Sequence, residues 1–339
     1  MTAAVLVAAA AMGLGAVPVE DAPPAPRAAD SLVLRDDLGR EVRLPAPPRR
    51  IVSLVPAFTE LVFALDAGDR LVGRTRYGVH PPEAREVPSV GQGVRPSIEA
   101  VVAREPDLVL LFAGAENRST AERFADLGVP ALALEHNGID DLLANLELLG
   151  RLTDREAVAG RLARRLRCQL DAVGRVASLA EPRRVYYEVW GDPPVTVGAG
   201  SYLDSLLTVA GGVNVFGELE APSPRVSLEA VSARRPDVVV VSRREGGGAA
   251  TSPGERPGWE ALEAVRRRRV RRIDGDLVHR LGPRLGEAAA ALAAALLPEL
   301  AGRLGEALRD ACPRAGAGDG DRDEDVGRGS GPGGASAGG

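Results

Sequence analysis

The chain has 339 residues, 45% of them hydrophobic and 26% charged, with a formal net charge of −5. This is the composition of a soluble globular protein long enough for two full-sized cores, and its mildly acidic balance gives no support for nucleic-acid binding. All 42 residues of the Lys and Arg class are arginine, so a phosphate-binding loop built on a lysine is excluded.

Thr2 to Val17 is apolar and alanine-rich and runs into a Pro/Ala/acid segment ending near Asp30. Residues 1–30 therefore read as an export signal and linker, although the usual basic start is missing. No cysteine follows the segment, so lipid attachment is not expected, and the stretch is too short and too alanine-rich for a membrane span. Ser31 to Leu44 reads as a β-hairpin turning near Asp37-Leu38-Gly39. Strands are predicted at Ile51 to Leu54, Leu71 to Thr75, Leu108 to Phe112 and Ala131 to Leu134. Helices are predicted at Pro56 to Leu65, ended by Gly68, and near Arg118 to Leu127 and Ile139 to Leu149. Strands alternating with helices imply a mostly parallel sheet in a first lobe, residues 31–150.

From Asp154 to about Leu179 no proline intervenes, and Leu162, Leu166, Leu170 and Val173 recur at helical spacing. A helix of about 26 residues would run roughly 39 Å, enough to connect two lobes through residues 151–181 before Pro182 stops it. Val185 to Val189 opens a second lobe, residues 182–312, with further strands at Val238 to Val241 and Val270 to Ile273. Gly282 and Pro283 precede a closing helix that runs to about Leu297 and continues beyond Pro298. Arg266 to Arg269, with Arg271 and Arg272, reads as a solvated surface. Residues 313–339 are Gly-, Asp- and Ser-rich and are expected to be disordered. Cys168 and Cys312 are not expected to pair, and neither has the spacing of a metal site.

One pattern occurs twice. Ser97-Ile-Glu-Ala-Val-Val-Ala-Arg-Glu-Pro-Asp-Leu-Val-Leu-Leu111 returns as Ser227-Leu-Glu-Ala-Val-Ser-Ala-Arg-Arg-Pro-Asp-Val-Val-Val-Val241. Each copy is a short helix stopped by Pro106 or Pro236, an Asp, and an aliphatic run suited to a strand buried on both faces. Glu99 and Glu229 are kept while neighbours drift, Val102 against Ser232 and Glu105 against Arg235. An acid in a helix's first turn is favoured by the helix dipole without any partner. Two similar lobes with matched acidic marks nevertheless read as a clamp rather than a single-site enzyme.

In open α/β sheets, ligands sit beyond the carboxyl ends of the strands. The loops there hold Tyr77, His80, Phe112, Trp190, Tyr202, Asp276, His279 and Arg280. With only 3% aromatic residues in the chain, their gathering in these loops suggests a flat, largely apolar ligand. Arg280 is placed to hold a propionate, amide or carboxylate edge. Core packing equally explains Phe112 and Tyr186. His80 is a candidate axial metal ligand, since neutral imidazole is a common donor; the alternative is a loop histidine satisfied by backbone beside Pro81 and Pro82. Spacing does not support a three-histidine metal site with His136 and His279. Gly91-Gln-Gly93 and Gly198-Ala-Gly200 lack the third glycine of a dinucleotide fingerprint, and there is no Gly-x-Ser-x-Gly or His-Glu-x-x-His. No enzyme is expected. The rival is an intracellular enzyme or cofactor-handling protein, for which Asp276 with His279 offers the acid–base pair.

Taken in order, the motifs resemble the periplasmic substrate-binding proteins of ABC importers for cobalamin, haem and iron–siderophores. The carriers are Arg50-Ile-Val-Ser-Leu-Val-Pro-Ala-Phe-Thr-Glu-Leu61, Arg76-Tyr-Gly-Val-His-Pro-Pro82, Val90-Gly-Gln-Gly93 and both Pro-Asp repeats. Gly191-Asp-Pro-Pro-Val-Thr-Val-Gly198, Gly211-Gly-Val-Asn-Val-Phe216 and Asp274-Gly-Asp-Leu-Val-His-Arg-Leu-Gly-Pro-Arg284 complete the set. The likeness runs from about Leu32 to Leu300, and the Arg-Tyr-x-x-His-Pro run is most similar to the corrinoid-binding branch. It implies an α/β fold of two similar lobes with mostly parallel sheets, joined by one long rigid helix, with little hinge motion. It further implies one ligand in the cleft between the lobes, containing cobalt or iron: a corrinoid, haem or ferric siderophore, with no cofactor of the protein's own. Glu99 and Glu229 would dock onto arginines of the ABC importer permease subunits, and the protein would be a periplasmic monomer. Gly91 and Ser223 stand where cobalamin receptors often carry tryptophan, which reduces the stacking surface.

Overall fold

In the computed structural model, which describes residues 31–243 and 253–310, the chain opens on a hairpin of β1 (Leu32–Arg35) and β2 (Glu41–Leu44). Residues 1–30, the tail from 313 and Cys312 lie outside the described residues. Asp36 ties the turn by accepting from the Arg40 backbone N–H at 2.8 Å, and the Arg40 guanidinium reaches Ala131 O at 2.7 Å, docking the hairpin on the first lobe.

That lobe is a parallel sheet of β3 (Ile51–Ser53), β4 (Leu71–Arg74), β5 (Leu108–Phe112) and β6 (Ala131–Leu134), in the order β4-β3-β5-β6. Helices α1 (Pro56–Ala64), α2 (Ile98–Val102), α3 (Arg118–Asp126) and α4 (Ile139–Leu152) cover it. After α5 (Glu156–Ala177) come β7 (Arg183–Gly191), β8 (Pro194–Thr196), α6 (Tyr202–Val209), β9 (Gly212–Asn214), α7 (Leu228–Ala233), β10 (Val238–Arg243), α8 (Glu263–Arg266) and β11 (Val270–Asp274). Here β9, β7, β10 and β11 are parallel in that order, the same topology, while β8 pairs antiparallel with the far end of β7. The expected architecture of two similar α/β lobes is present.

The internal repeat is deeper than its sequence. From Ser97 to Leu110 and from Ser227 to Val240, burial agrees position by position. Ser97 and Ser227 cap their helices, accepting from Ala100 N–H and Ala230 N–H at 3.1 and 3.2 Å. Glu105 and Arg235 both turn left-handed, with φ of +47° and +46°. Asp107 then accepts from the backbone N–H groups of Arg49 and Arg50 at 2.8 and 2.9 Å, and Asp237 from that of Arg184 at 3.0 Å. Arg50 and Arg184 return the tie, donating to the carbonyls of Arg104 and Arg234. The repeat therefore includes the arginine and strand upstream of each copy, across a gap of about fifty residues that hides it from inspection.

The connecting helix is shorter than predicted. Asp154 is left-handed (φ +57°) and closes the turn after α4, so α5 begins at Glu156 and ends at Ala177; its 22 residues span about 33 Å. It buries Ala159, Ala163, Leu166, Leu170 and Val173 against α4 and the terminal helices. The closing helix is also broken. After α9 (Gly275–Val278), α10 (Leu285–Leu296) stops before Pro298 and α11 (Ala301–Asp310) leaves at 120°, because proline cannot donate into a continuing helix. One apolar cluster runs from β3 and β5 through α4 and α5 to β7, β10 and α10. The lobes thus share a core rather than meeting at a loose hinge. Among the described residues no single helix is long and apolar enough to cross a membrane.

Candidate functional site

The carboxyl ends of the two sheets present the loops named from sequence. Tyr77, after β4, is 51% exposed, and Trp190, at the end of β7, is 65% exposed, one aromatic from each lobe. Trp190 Nε1 donates to Asp192 O at 2.9 Å, fixing the ring's edge. The Arg76 guanidinium lies 4.7 Å from the Tyr77 ring centroid, and its Nη2 donates to the phenol oxygen at 2.5 Å. Phe112, at the end of β5, is half-buried. Glycine shapes this rim. A Cβ at Gly93 would stand 2.2 Å from Leu54 O, so only glycine lets the loop close on the end of β3. Gly91 is left-handed at φ +99°, a conformation that disfavours any larger side chain at this position.

In the second lobe, His279 Nε2 and Tyr187 Oη are 2.9 Å apart, and the Tyr202 hydroxyl donates to Val278 O at 2.9 Å. Tyr187, Tyr202 and His279 are thus gathered around α9. Tyr187 escaped the sequence reading because Tyr186 and Tyr187 are adjacent in one strand, and only the sheet's packing decides which faces where. Tyr186 lies in the core beside Phe216 and Trp259, and burial pushes its phenol pKa up, with Glu188 adding to the effect. Glu188 is itself buried and paired with Arg256.

The lobes meet at a charged seam that the sequence reading also missed. Glu60 of α1 is 1% exposed, and it accepts from Arg280 at 3.0 Å and from Arg284 at 3.2 and 3.3 Å. Arg280 also pairs with Asp276 at 3.1 Å. Arg280 was expected on the ligand's polar edge. Its contacts describe a different role, because a guanidinium shared by two carboxylates is committed to them. Glu60 and Arg284 lay within the recognised motifs, but a pairing across 224 positions leaves no local trace.

His80 lies at the same seam, in a groove of about 320 Å³ lined by Glu60, Phe63, His80, Glu83 and Pro283. Desolvation, and then the nearby charge of Arg284, lowers its basicity. His136 is structural. Its Nε2 lies 2.5 Å from Leu281 O and its Nδ1 3.2 Å from Asn145 Nδ2, with Phe58 edge-on at 5.0 Å. The carbonyl makes Nε2 the donor and leaves Nδ1 as acceptor, and burial holds the ring's pKa low. Among the described residues, no group of three or more His, Cys, Asp or Glu side chains is arranged to hold a metal ion.

Glu99 and Glu229 stand exposed, one per lobe, in matching geometry. Glu99 is held below the usual carboxylate range by its own N–H and then by the Ser97 hydroxyl, Glu229 by the Ser227 hydroxyl and then its own N–H. Both are therefore ionised over the physiological range.

Two topologically equivalent lobes on a shared core, with open aromatics at the strand ends and an acidic mark on each, define a bilobal binding protein. Residues 51–277 match the family described as periplasmic binding protein, and the chain belongs to that family. It is a family of binding proteins, not of enzymes. The chain is 30% identical over 241 residues to a vitamin B12-binding protein of Vibrio parahaemolyticus serotype O3:K6, covering 70% of this chain and 86% of that one. The crystal structure of a periplasmic vitamin B12-binding protein of Vibrio cholerae matches with a TM-score of 0.64 and 25% identity, covering 78% of this chain and 99% of that one. A periplasmic heme-binding protein from Roseiflexus sp. RS-1 matches with a TM-score of 0.67 and 25% identity, covering 76% and 99%. The resemblance read from the motifs is borne out.

Proposed function

We propose that this protein captures a metal-bearing macrocycle, a corrinoid or a related complex such as haem, between its lobes and delivers it to an ABC importer. The observation that carries this reading is the exposure of Tyr77 and Trp190 at the strand ends of opposite lobes, which Glu60 ties together through Arg280. Flat rings of this kind stack on a macrocycle and bury large apolar area. Phe112, Tyr202, Asp276 and His279 line the site, and His80 supplies an imidazole to the metal. The protein is not an enzyme and carries no cofactor of its own; the cobalt or iron belongs to the cargo. A ferric siderophore is the remaining cargo of the same type.

In this reading the lobes of residues 31–150 and 182–312 act as one monomeric receptor joined through residues 151–181. Residues 1–30 direct export, so the protein works outside the cytoplasm. Glu99 and Glu229 engage arginines of the permease, one per lobe. Absorbance titration with cyanocobalamin, dicyanocobinamide, hemin and ferric siderophores tests the cargo, and silence toward all of them would sink the reading. Glu99→Ala with Glu229→Ala should abolish uptake while ligand affinity persists; lost affinity with uptake intact would refute the docking role.

A further inference from the structure

We propose that Arg76, laid against the ring of Tyr77, is the site that reads an anionic rim on the ligand, so that the cleft favours a macrocycle bearing carboxylates at its edge. The inference rests on the cleft reading above and narrows it.

Four arginines near the seam and the strand ends, Arg74, Arg256, Arg280 and Arg284, are committed to partners. Arg280 and Arg284 share Glu60, with Asp276 as a second partner for Arg280. Arg256 is held by the buried Glu188. Arg74 is buried and donates to the carbonyls of Ala84, Thr75 and Arg85 at 2.6, 2.9 and 3.2 Å. Arg76 differs in kind. Its guanidinium rests on an aromatic face and donates to a neutral phenol, and among the described residues it has no carboxylate partner. Stacking on a ring fixes where a cation sits without cancelling its charge.

The placement is built rather than incidental. The Arg76 N–H donates to Gly91 O at 2.8 Å, tying its backbone to the glycine loop that closes on the end of β3. Two residues on, a Cβ at Gly78 would stand 3.0 Å from Thr59 Oγ1, so the chain is pressed against α1 directly after the Tyr77 ring. One face of that ring carries the guanidinium while the residue remains half exposed. A flat ligand stacked on the other face brings its edge toward the phenol oxygen, where the guanidinium is already anchored. The planar fork of an arginine matches a carboxylate with two parallel hydrogen bonds. An uncharged amide rim gains less from the same group, because hydrogen bonds between an ion and a neutral partner are weaker than those between opposite charges.

The test compares hemin with hemin dimethyl ester, which share a ring and differ in rim charge, by absorbance titration of the full chain. The protein should bind hemin at least about tenfold more tightly than the ester, a difference of about 1.4 kcal/mol, and the preference should shrink as salt is raised. Arg76→Ala should remove most of that preference by weakening hemin alone, and Arg76→Lys should restore part of it. An unchanged preference in Arg76→Ala, or equal loss for both ligands, overturns the proposal. So does failure of the unaltered protein to bind hemin; that result reaches the wider reading only if cyanocobalamin and dicyanocobinamide also fail.

Discussion

Replacing Glu60 by alanine removes the one carboxylate that two arginines of the other lobe share. The side chain is 1% exposed, and its partners Arg280 and Arg284 are 14% and 23% exposed, so little water stands ready to take its place. Deleting one partner of a buried pair costs about 3–5 kcal/mol: Arg284 loses its carboxylate partner, while Arg280 keeps Asp276. At about 2–4 °C per kcal/mol for a chain approaching this size, the melting temperature should fall by roughly 6–20 °C. Glu60→Gln keeps the shape and one acceptor oxygen and should lose less. The control is Glu299→Ala, which breaks the exposed pair with Arg183 at 3.1 Å and should cost under about 1 kcal/mol. Adding Arg284→Ala to Glu60→Ala should cost less than the sum of the two, because the stranded guanidinium is then gone. Scanning calorimetry of these variants reads all of this directly. If Glu60→Ala loses no more than Glu299→Ala, the seam is not an electrostatic tie and the argument fails.

Three further outcomes follow from the contacts described. His136 has its pKa lowered by burial, so the unfolded chain binds a proton near pH 6.5 that the folded ring refuses. Its contribution is complete above that pH and is lost as pH falls below it; His136→Gln should flatten the decline in urea midpoint between pH 7 and 5, and an unaltered slope would contradict the assignment. Gly93→Ala forces a Cβ to within 2.2 Å of Leu54 O and should cost about 1–3 kcal/mol as the loop shifts, with ligand affinity falling in the same titration. Asp107→Ala and Asp237→Ala should each cost about 1–2 kcal/mol in chemical denaturation. Asp107 should be the larger, since it accepts two backbone N–H groups where Asp237 accepts that of Arg184.

Much of the architecture is local and was legible in the chain. Leu108–Phe112 and Ala131–Leu134 were found at their true bounds because a strand buried on both faces must be aliphatic throughout. The repeated Ser-x-Glu helix announced two like lobes because cap, helix and strand are consecutive. The short strands β8 and β9 were not legible. They are three residues each, beside glycine and proline, and owe their existence to the exposed edge of β7 rather than to any propensity of their own.

The site divides along the same line. The sequence by itself determined which loops carry aromatics and histidines and that each lobe bears an exposed glutamate at an equivalent helix start, since strands and helix starts are written in neighbouring residues. Tertiary structure alone decided their duties. Arg280 is bound to Glu60 across 220 positions, His136 to Leu281 O across 145, and Tyr187 to His279 across 92. A charge looks the same in sequence whether it meets water, a ligand or a buried partner, and only folding settles which, because desolvation and Coulomb energy depend on distance in space.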